Sequence, residues 1–237
     1  MLVRKIITQS TVDGPGNRVA VFLQGCNIRC AYCHNPETQS MNDAEAVEMS
    51  VSEVVAEVAA CMPFIRGVTV SGGECMLQAE WLQQLFGEVK RLGRLTCLID
   101  SNGTIDFSRH EKLMQVCDGV MLDVKAWDNE VYSRLTSSKS NDVVKRNLLW
   151  LLEHDKLTEV RIVCLPEQMP ISTDVDNILR HLSATAGFRE KAVPTRLLRF
   201  RPHGVVGALA DYPMPSDEQM KRHLTLAQQL GLSATVK

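Results

Sequence analysis

A chain of 237 residues can bury a sizeable core and falls where one barrel-type domain or two small ones are equally natural. Its 26 Lys and Arg nearly balance 28 Asp and Glu and form no basic block, so there is no electrostatic footprint for nucleic acid or an anionic membrane; a weakly charged substrate or a protein partner fits better. The start, Met1-Leu-Val-Arg-Lys-Ile-Ile, lacks the apolar core of a signal peptide, and no run of about eighteen apolar residues occurs, which predicts a cytoplasmic protein.

Short apolar runs alternate with stretches of helical period, the pattern of parallel βα units. Six strands are predicted, over Arg18–Leu23, Gly67–Ser71, Leu95–Asp100, Gly119–Val124, Glu159–Leu165 and Thr195–Arg201. Helices are predicted over Ser52–Cys61, Leu77–Leu92, Asp106–Val116, Asn141–Glu153, Asp174–Ala184 and Asp217–Leu230, the last capped by Ser216 or Asp217 and ended by Gly231. Met41–Ser50 and His203–Pro215 read as loops, the second a candidate lid. No linker or repeat interrupts the pattern, so residues 1–237 are expected to form a single α/β domain, a partial barrel with its chemistry on the loops after the strands.

Eight cysteines without an export signal argue for thiols or metal ligands. Cys26, Cys30 and Cys33 crowd into the loop after the first predicted strand, and the next cysteine is Cys61. Three close thiolates can hold three irons of a cubane cluster, which leaves the fourth iron open to a ligand. A zinc site closed by His34 is the alternative, although His34 directly follows Cys33 and would wrap awkwardly round one tetrahedral ion. Other groups gather at predicted strand ends: Ser71-Gly72-Gly73-Glu74, Asp100-Ser101-Asn102-Gly103 and Met121-Leu122-Asp123-Val124-Lys125. Charges buried there need partners, and a zwitterionic ligand supplies both signs; a structural Asp123–Lys125 pair is the plainer reading. Arg161, on an apolar strand, likewise needs a partner, a carboxylate within the barrel being the plainer one. Cys97, Cys117 and Cys61 read as small apolar residues.

The Cys-x3-Cys-x2-Cys spacing with Tyr32 before the last cysteine resembles the signature of the radical S-adenosylmethionine superfamily. Asp13-Gly14-Pro15-Gly16, Phe22-Leu23-Gln24-Gly25 and Cys33-His34-Asn35-Pro36 resemble, more narrowly, the glycyl-radical-enzyme activating proteins. The resemblance implies a radical S-adenosylmethionine fold, a partial (β/α)6 TIM-type barrel, with one [4Fe-4S] cluster on Cys26, Cys30 and Cys33. It implies cofactor contacts from Tyr32, Gly72, Gly73, Glu74, Asp100, Ser101, Asp123, Lys125, Arg161, Val163 and His203, and a monovalent cation at Asp100, Ser101, Met121 and Asp123. Two departures stand out: Cys75 where the family usually has Pro, and Ser101 in place of Thr. With no cysteine between Pro36 and Ala60, no ferredoxin-like insert and hence no second cluster is expected.

By resemblance, reductive cleavage of S-adenosylmethionine yields a 5′-deoxyadenosyl radical that takes a hydrogen atom from a glycine of a larger partner enzyme, with Asp13, Gly14 and His34 as candidate docking residues. A flavodoxin- or ferredoxin-type donor and a monomeric state complete the implied picture. The alternatives are a radical S-adenosylmethionine enzyme acting on a small molecule, and a non-catalytic iron–sulfur or zinc protein.

Overall fold

The computed structural model describes all 237 residues, Met1–Lys237, and their contacts gather into two compact units. The first takes Met1–Asn27, Glu37–Ser101 and Ile105–Met121; the second takes Ile28–Pro36, Asn102–Thr104 and Leu122–Lys237. The chain passes between them repeatedly, so neither is a continuous segment.

In the first unit, β1 (Leu2–Ser10) runs antiparallel to β2 (Arg18–Leu23), with the two-residue β3 (Val47–Glu48) on the outer edge of β1. Two strands parallel to β2 follow, β4 (Gly67–Gly72) and β5 (Thr96–Ser101), and then β6 (Gly119–Asp123), on which the chain leaves the unit. Val19, Ala20, Val21, Val68, Val70, Cys97 and Ile99 are fully buried, as parallel strands covered on both faces should be. The helices of this unit are α1 (Val51–Ala60), α2 (Ala79–Leu92) and α3 (Glu111–Val116). A capping box between Ser50 and Glu53 starts α1. On α2, Leu82, Leu85, Phe86 and Val89 recur at helical spacing and are fully buried.

The second unit holds α4 (Asn129–Thr136), α5 (Asp142–Glu153), β7 (Leu157–Cys164), α6 (Val175–Ala184), β8 (Thr195–Arg199), α7 (Asp217–Gln229) and β9 (Ala234–Val236). Here β7, β8 and β9 pair in parallel, and the Val124 amide, just past β6, donates to the Arg161 carbonyl at 2.9 Å. Ser216 caps α7, and Gly231 follows it at φ 74°. All six predicted strands are present within two residues of their expected limits, whereas β1, β3, β9 and α4 were not anticipated. The helix expected over Asp106–Val116 is instead a 3-10 turn, Phe107–Arg109, and a separate α3, because the Asp106 carboxylate accepts the Ser108 amide and caps the turn first.

Fully buried Arg18 opens β2. Its guanidinium donates to the Thr69 and Thr96 hydroxyls at 2.7 and 2.9 Å, to the Val68 and Thr96 carbonyls at 2.7 and 2.9 Å, and to the Pro15 carbonyl at 3.3 Å. Burial lowers its pKa to about 10, so it is charged at neutral pH and satisfied by neutral acceptors. The Thr69 hydroxyl in turn donates to the Asp13 carbonyl at 2.6 Å. One side chain thus ties the starts of β2, β4 and β5 to the Asp13–Gly16 loop. Replacing Arg18 with Met strands several of these acceptors, and we expect a loss of ~3 kcal/mol, read as a lower urea midpoint at unchanged slope. An unaltered midpoint would show that the network adds nothing.

Candidate metal centre

In the first unit, the loop after β2 is built by backbone contacts. The Gly25 amide donates to the Thr38 carbonyl at 2.9 Å and the Cys26 amide to the Gln39 carbonyl at 3.4 Å. The Gln24 side-chain amide donates to the carbonyls of Glu37 and Ser40 at 2.7 and 2.8 Å, which holds the turn that receives Gly25 and Cys26. From the adjacent strand, the Gly73 amide donates to the Leu23 carbonyl at 3.0 Å and the Glu74 amide to the Gly25 carbonyl at 2.8 Å. A Cβ on Gly73 would lie 2.2 Å from the Gly25 oxygen, and one on Gly72, at φ 118°, would lie 2.2 Å from the Leu23 backbone. The glycine pair is therefore required by the strand-to-loop packing itself.

The ends of β4 and β5 are stitched by side chains. Ser71 donates to Asp100 at 2.9 Å, and Ser101 donates to Glu74 at 2.8 Å. Buried Glu74 also accepts the Met76 amide at 3.0 Å, capping the 3-10 turn Cys75–Gln78. Cys75 is fully buried, and its thiol donates to the carbonyls of Val70 and Asp100, each at 3.4 Å. Burial, with Glu74 and Asp100 adding to it, raises its pKa well above the ordinary thiol value. It is an inert core thiol. Met121 is fully buried as well.

In the second unit, the Arg29 and Ala31 amides donate to the carbonyls of Thr136 and Leu135, each at 2.8 Å, so the C-terminal turn of α4 seats the segment carrying Cys30 and Cys33. These carbonyls are the ones a helix end leaves unpaired. Tyr32 is 4% exposed, its hydroxyl has no hydrogen-bond partner, and burial pushes its pKa up. The Lys125 ammonium lies 5.9 Å from the centre of the Tyr32 ring and 2.9 Å from Asp123. Burial alone would lower the Lys125 pKa, but Asp123, followed by Cys30 and Tyr32, raises it well above the ordinary value.

Beside the same segment, His34 faces Phe200 with ring centres 6.2 Å apart. Burial and the charge of Arg201 lower its pKa. Gly204, at φ 84°, sits where a Cβ would lie 2.3 Å from the His34 oxygen. His203 is exposed. On β7, Arg161 pairs with Glu159 at 2.6 Å, the carboxylate its position on an apolar strand called for, and Val163 lies on the same face two residues on. Asp13 and Gly14 are placed differently from what their nearness to the cysteines in the sequence suggests. Ser10 pairs with Arg18 and Val3 with Leu23, so the loop joining β1 to β2 lies at the opposite end of β2 from Cys26.

These residues fit an iron–sulfur cluster and a zwitterionic cofactor. Cys26, Cys30 and Cys33 are in no disulfide, Cys26 buried and the other two half-buried. No three His, Cys, Asp or Glu side chains converge closely enough to hold a single metal ion, whereas a cubane distributes its thiolates over separate irons. In the second unit, the paired ions Asp123 and Lys125 and the unpartnered Tyr32 hydroxyl supply polar groups of both signs.

Comparison with known proteins agrees. Residues 12–145 match the family model described as a 4Fe-4S single cluster domain. The pyruvate formate-lyase-activating enzyme of Staphylococcus epidermidis is 40% identical over 152 residues, 60% of each chain. That of Staphylococcus aureus strain USA300 is 34% identical over 224 residues, 89% of this chain and 88% of that enzyme. Among solved structures, a domain of pyruvate-formate lyase-activating enzyme from Bacteroides vulgatus superposes with a TM-score of 0.56 at 20% identity, covering 72% of this chain and 98% of that one. Streptococcus suis SuiB, solved with S-adenosylmethionine, gives 0.61 at 12% identity over 90% of this chain and 48% of SuiB. The fold is the α/β partial barrel of these radical S-adenosylmethionine proteins.

Substituting Cys30 by Ala should abolish the iron of the anaerobically reconstituted protein, while Cys75→Ala should keep the full content. Iron and sulfide assays decide both, and loss of iron in the Cys75 variant would overturn the assignment of that thiol to the core.

Proposed function

We propose how this chain works from the premise that it belongs to the family of pyruvate formate-lyase-activating enzymes, radical S-adenosylmethionine proteins with a single [4Fe-4S] cluster. Its function is to cleave S-adenosylmethionine reductively and install a glycyl radical on a partner enzyme. The observation that carries this reading is the spacing of the triplet Cys26, Cys30 and Cys33 within a chain 34% identical to a named activating enzyme over nearly its whole length.

When bound, the cluster and S-adenosylmethionine supply the one-electron chemistry and the hydrogen-atom abstraction. The protein's own residues ligate, orient and exclude water. Cys26, Cys30 and Cys33 would hold three irons and leave the fourth for the cofactor's amino and carboxylate groups. The carbonyls of Gly72 and Gly73 would receive the ammonium, and Lys125 and Arg161 would face the carboxylate. Tyr32, Val163 and His203 would border the nucleoside. Glu74, Asp100, Ser101 and Asp123 hold the strand ends that carry these contacts, and Asp100, Ser101, Met121 and Asp123 are the candidate surroundings of a monovalent cation. The proposal treats residues 1–237 as one radical S-adenosylmethionine domain.

The partner's glycine-bearing loop would meet His34 beside the cluster segment, while Asp13 and Gly14 would act at the far end of β2, a separate point on its path. No helix is long and apolar enough to cross a membrane, and the proposed setting is the cytoplasm. There a flavodoxin- or ferredoxin-type protein would deliver the electron to a monomeric activase.

Anaerobic incubation of the reconstituted protein with S-adenosylmethionine and dithionite should release 5′-deoxyadenosine. A glycyl radical should then appear in electron paramagnetic resonance when a glycyl radical enzyme is added. No 5′-deoxyadenosine from protein loaded with four irons would reject the radical reading; 5′-deoxyadenosine without a protein radical would reject the activase assignment alone.

A further inference from the structure

In the first unit, the Asp13-Gly14-Pro15-Gly16 loop packs where β2, β4 and β5 begin side by side. The Arg66 amide donates to the Asn17 carbonyl at 2.7 Å and the Thr96 amide to the Arg66 carbonyl at 3.0 Å. Gly16, at φ 79°, leaves room for the Arg66 stem, since a Cβ there would lie 2.8 Å from Arg66 Cγ. The Asn17 side-chain amide donates to the Phe64 carbonyl at 2.8 Å and ties that backbone to the same loop. Two large apolar side chains stand in solvent here, Val12 at 65% exposure and Phe64 at 71%.

The ionic groups at this end are unevenly matched. Lys90 pairs with Asp118, the Asp13 carboxylate accepts the Ser10 hydroxyl at 2.5 Å, and Arg18 is buried among neutral acceptors. Arg66 and Arg94, exposed just ahead of β4 and β5, make neither an ion pair nor a side-chain hydrogen bond. Exposed aromatic and apolar groups beside unpaired arginines have the composition of a protein-binding surface, and the two guanidinium groups call for carboxylates on the partner. Six residues of β2, about 20 Å at the rise of a strand, separate this end from the loop of Cys26. A small electron carrier has to bring its redox centre up to the cluster and does not reach this far, whereas a protein substrate larger than this chain can lie against both ends.

We propose that Val12, Phe64, Arg66 and Arg94 form a docking surface for an acidic, partly apolar patch of the glycyl radical enzyme, apart from its glycine-bearing loop. This inference rests on the activase reading of the chain, and the experiment separates the two. Radical installation on pyruvate formate-lyase, with dithionite as reductant, is followed by electron paramagnetic resonance for the reconstituted wild-type protein, for Arg66→Glu/Arg94→Glu and for Phe64→Ser. Iron content, thermal midpoint and 5′-deoxyadenosine release without the partner are recorded for each. The expected result is a KM for pyruvate formate-lyase about tenfold higher in the double variant and about threefold higher in Phe64→Ser, with kcat, iron and 5′-deoxyadenosine release unchanged. Raising the salt from about 0.05 to 0.3 M should raise the wild-type KM and leave that of the double variant nearly constant.

An unchanged KM in the double variant overturns the proposal. So does a loss confined to assays in which a flavodoxin replaces dithionite, which would assign the surface to the electron donor. A wild-type protein that releases 5′-deoxyadenosine but installs no radical overturns the activase reading itself. Should the double variant not fold, Arg94→Glu, which leaves the contact of Arg66 with Gly16 intact, takes its place with a KM about threefold higher. An unchanged KM in Arg94→Glu overturns the proposal in that case.

Discussion

Gly73 packs against the Gly25 carbonyl so closely that no side chain fits between them, and the placement of the first cysteine depends on that contact. Parallel pairing of β2 with β4 runs in register to Leu23 and Gly72, after which both chains must turn while still touching. Glycine at both positions permits it, and the Gly73 and Glu74 amides then tie the turn of one strand to the loop of the other. Cys26 emerges one residue beyond a backbone that is already hydrogen-bonded on two sides. A rigid base for Cys26, the proposed iron ligand, thus comes from main-chain packing, with Gln24 the side chain that supports it from within.

Two buried arginines show how the same residue type serves the fold in one place and a site in another. Arg18 is surrounded by neutral carbonyls and hydroxyls, one for each direction its donors point, and nothing near it calls for a ligand. Arg161 instead shares the Glu159 carboxylate with Arg196. One guanidinium is thus held by neutral acceptors and the other by a carboxylate.

The parallel strands were legible because each is an apolar run bounded by turn residues, and the cysteine triplet because its spacing has few other uses. β1 and β9 were not, since Leu2–Ser10 and Ala234–Val236 mix exposed and half-buried positions and carry neither the period of a helix nor a continuous apolar run. α4 escaped for a related reason: it is short, and its residues bury only Tyr32's neighbour Tyr132 with Leu135 and Thr136. Yet it supplies the carbonyls that seat Cys30 and Cys33, so part of the metal centre rests on an element with a weak sequence signal. The Asp13–Gly16 loop is the opposite case, conspicuous in sequence but carried away from the cysteines by the length of β2. Adjacency in sequence becomes adjacency in space only where no strand intervenes.

Lys125 in the second unit and Cys75 in the first share one property that bears on the proposed mechanism. Lys125 is held charged by Asp123, and Cys75 is held neutral by burial, each displaced further from neutrality than its ordinary value. A site built for proton transfer does the reverse, bringing pKa values toward the working pH. Groups locked in one protonation state present a constant field to a zwitterion and do not exchange protons with it during turnover. Such an arrangement suits a reaction whose bond-breaking is carried by an electron and a hydrogen atom, where the protein's contribution is to keep the reacting partners aligned.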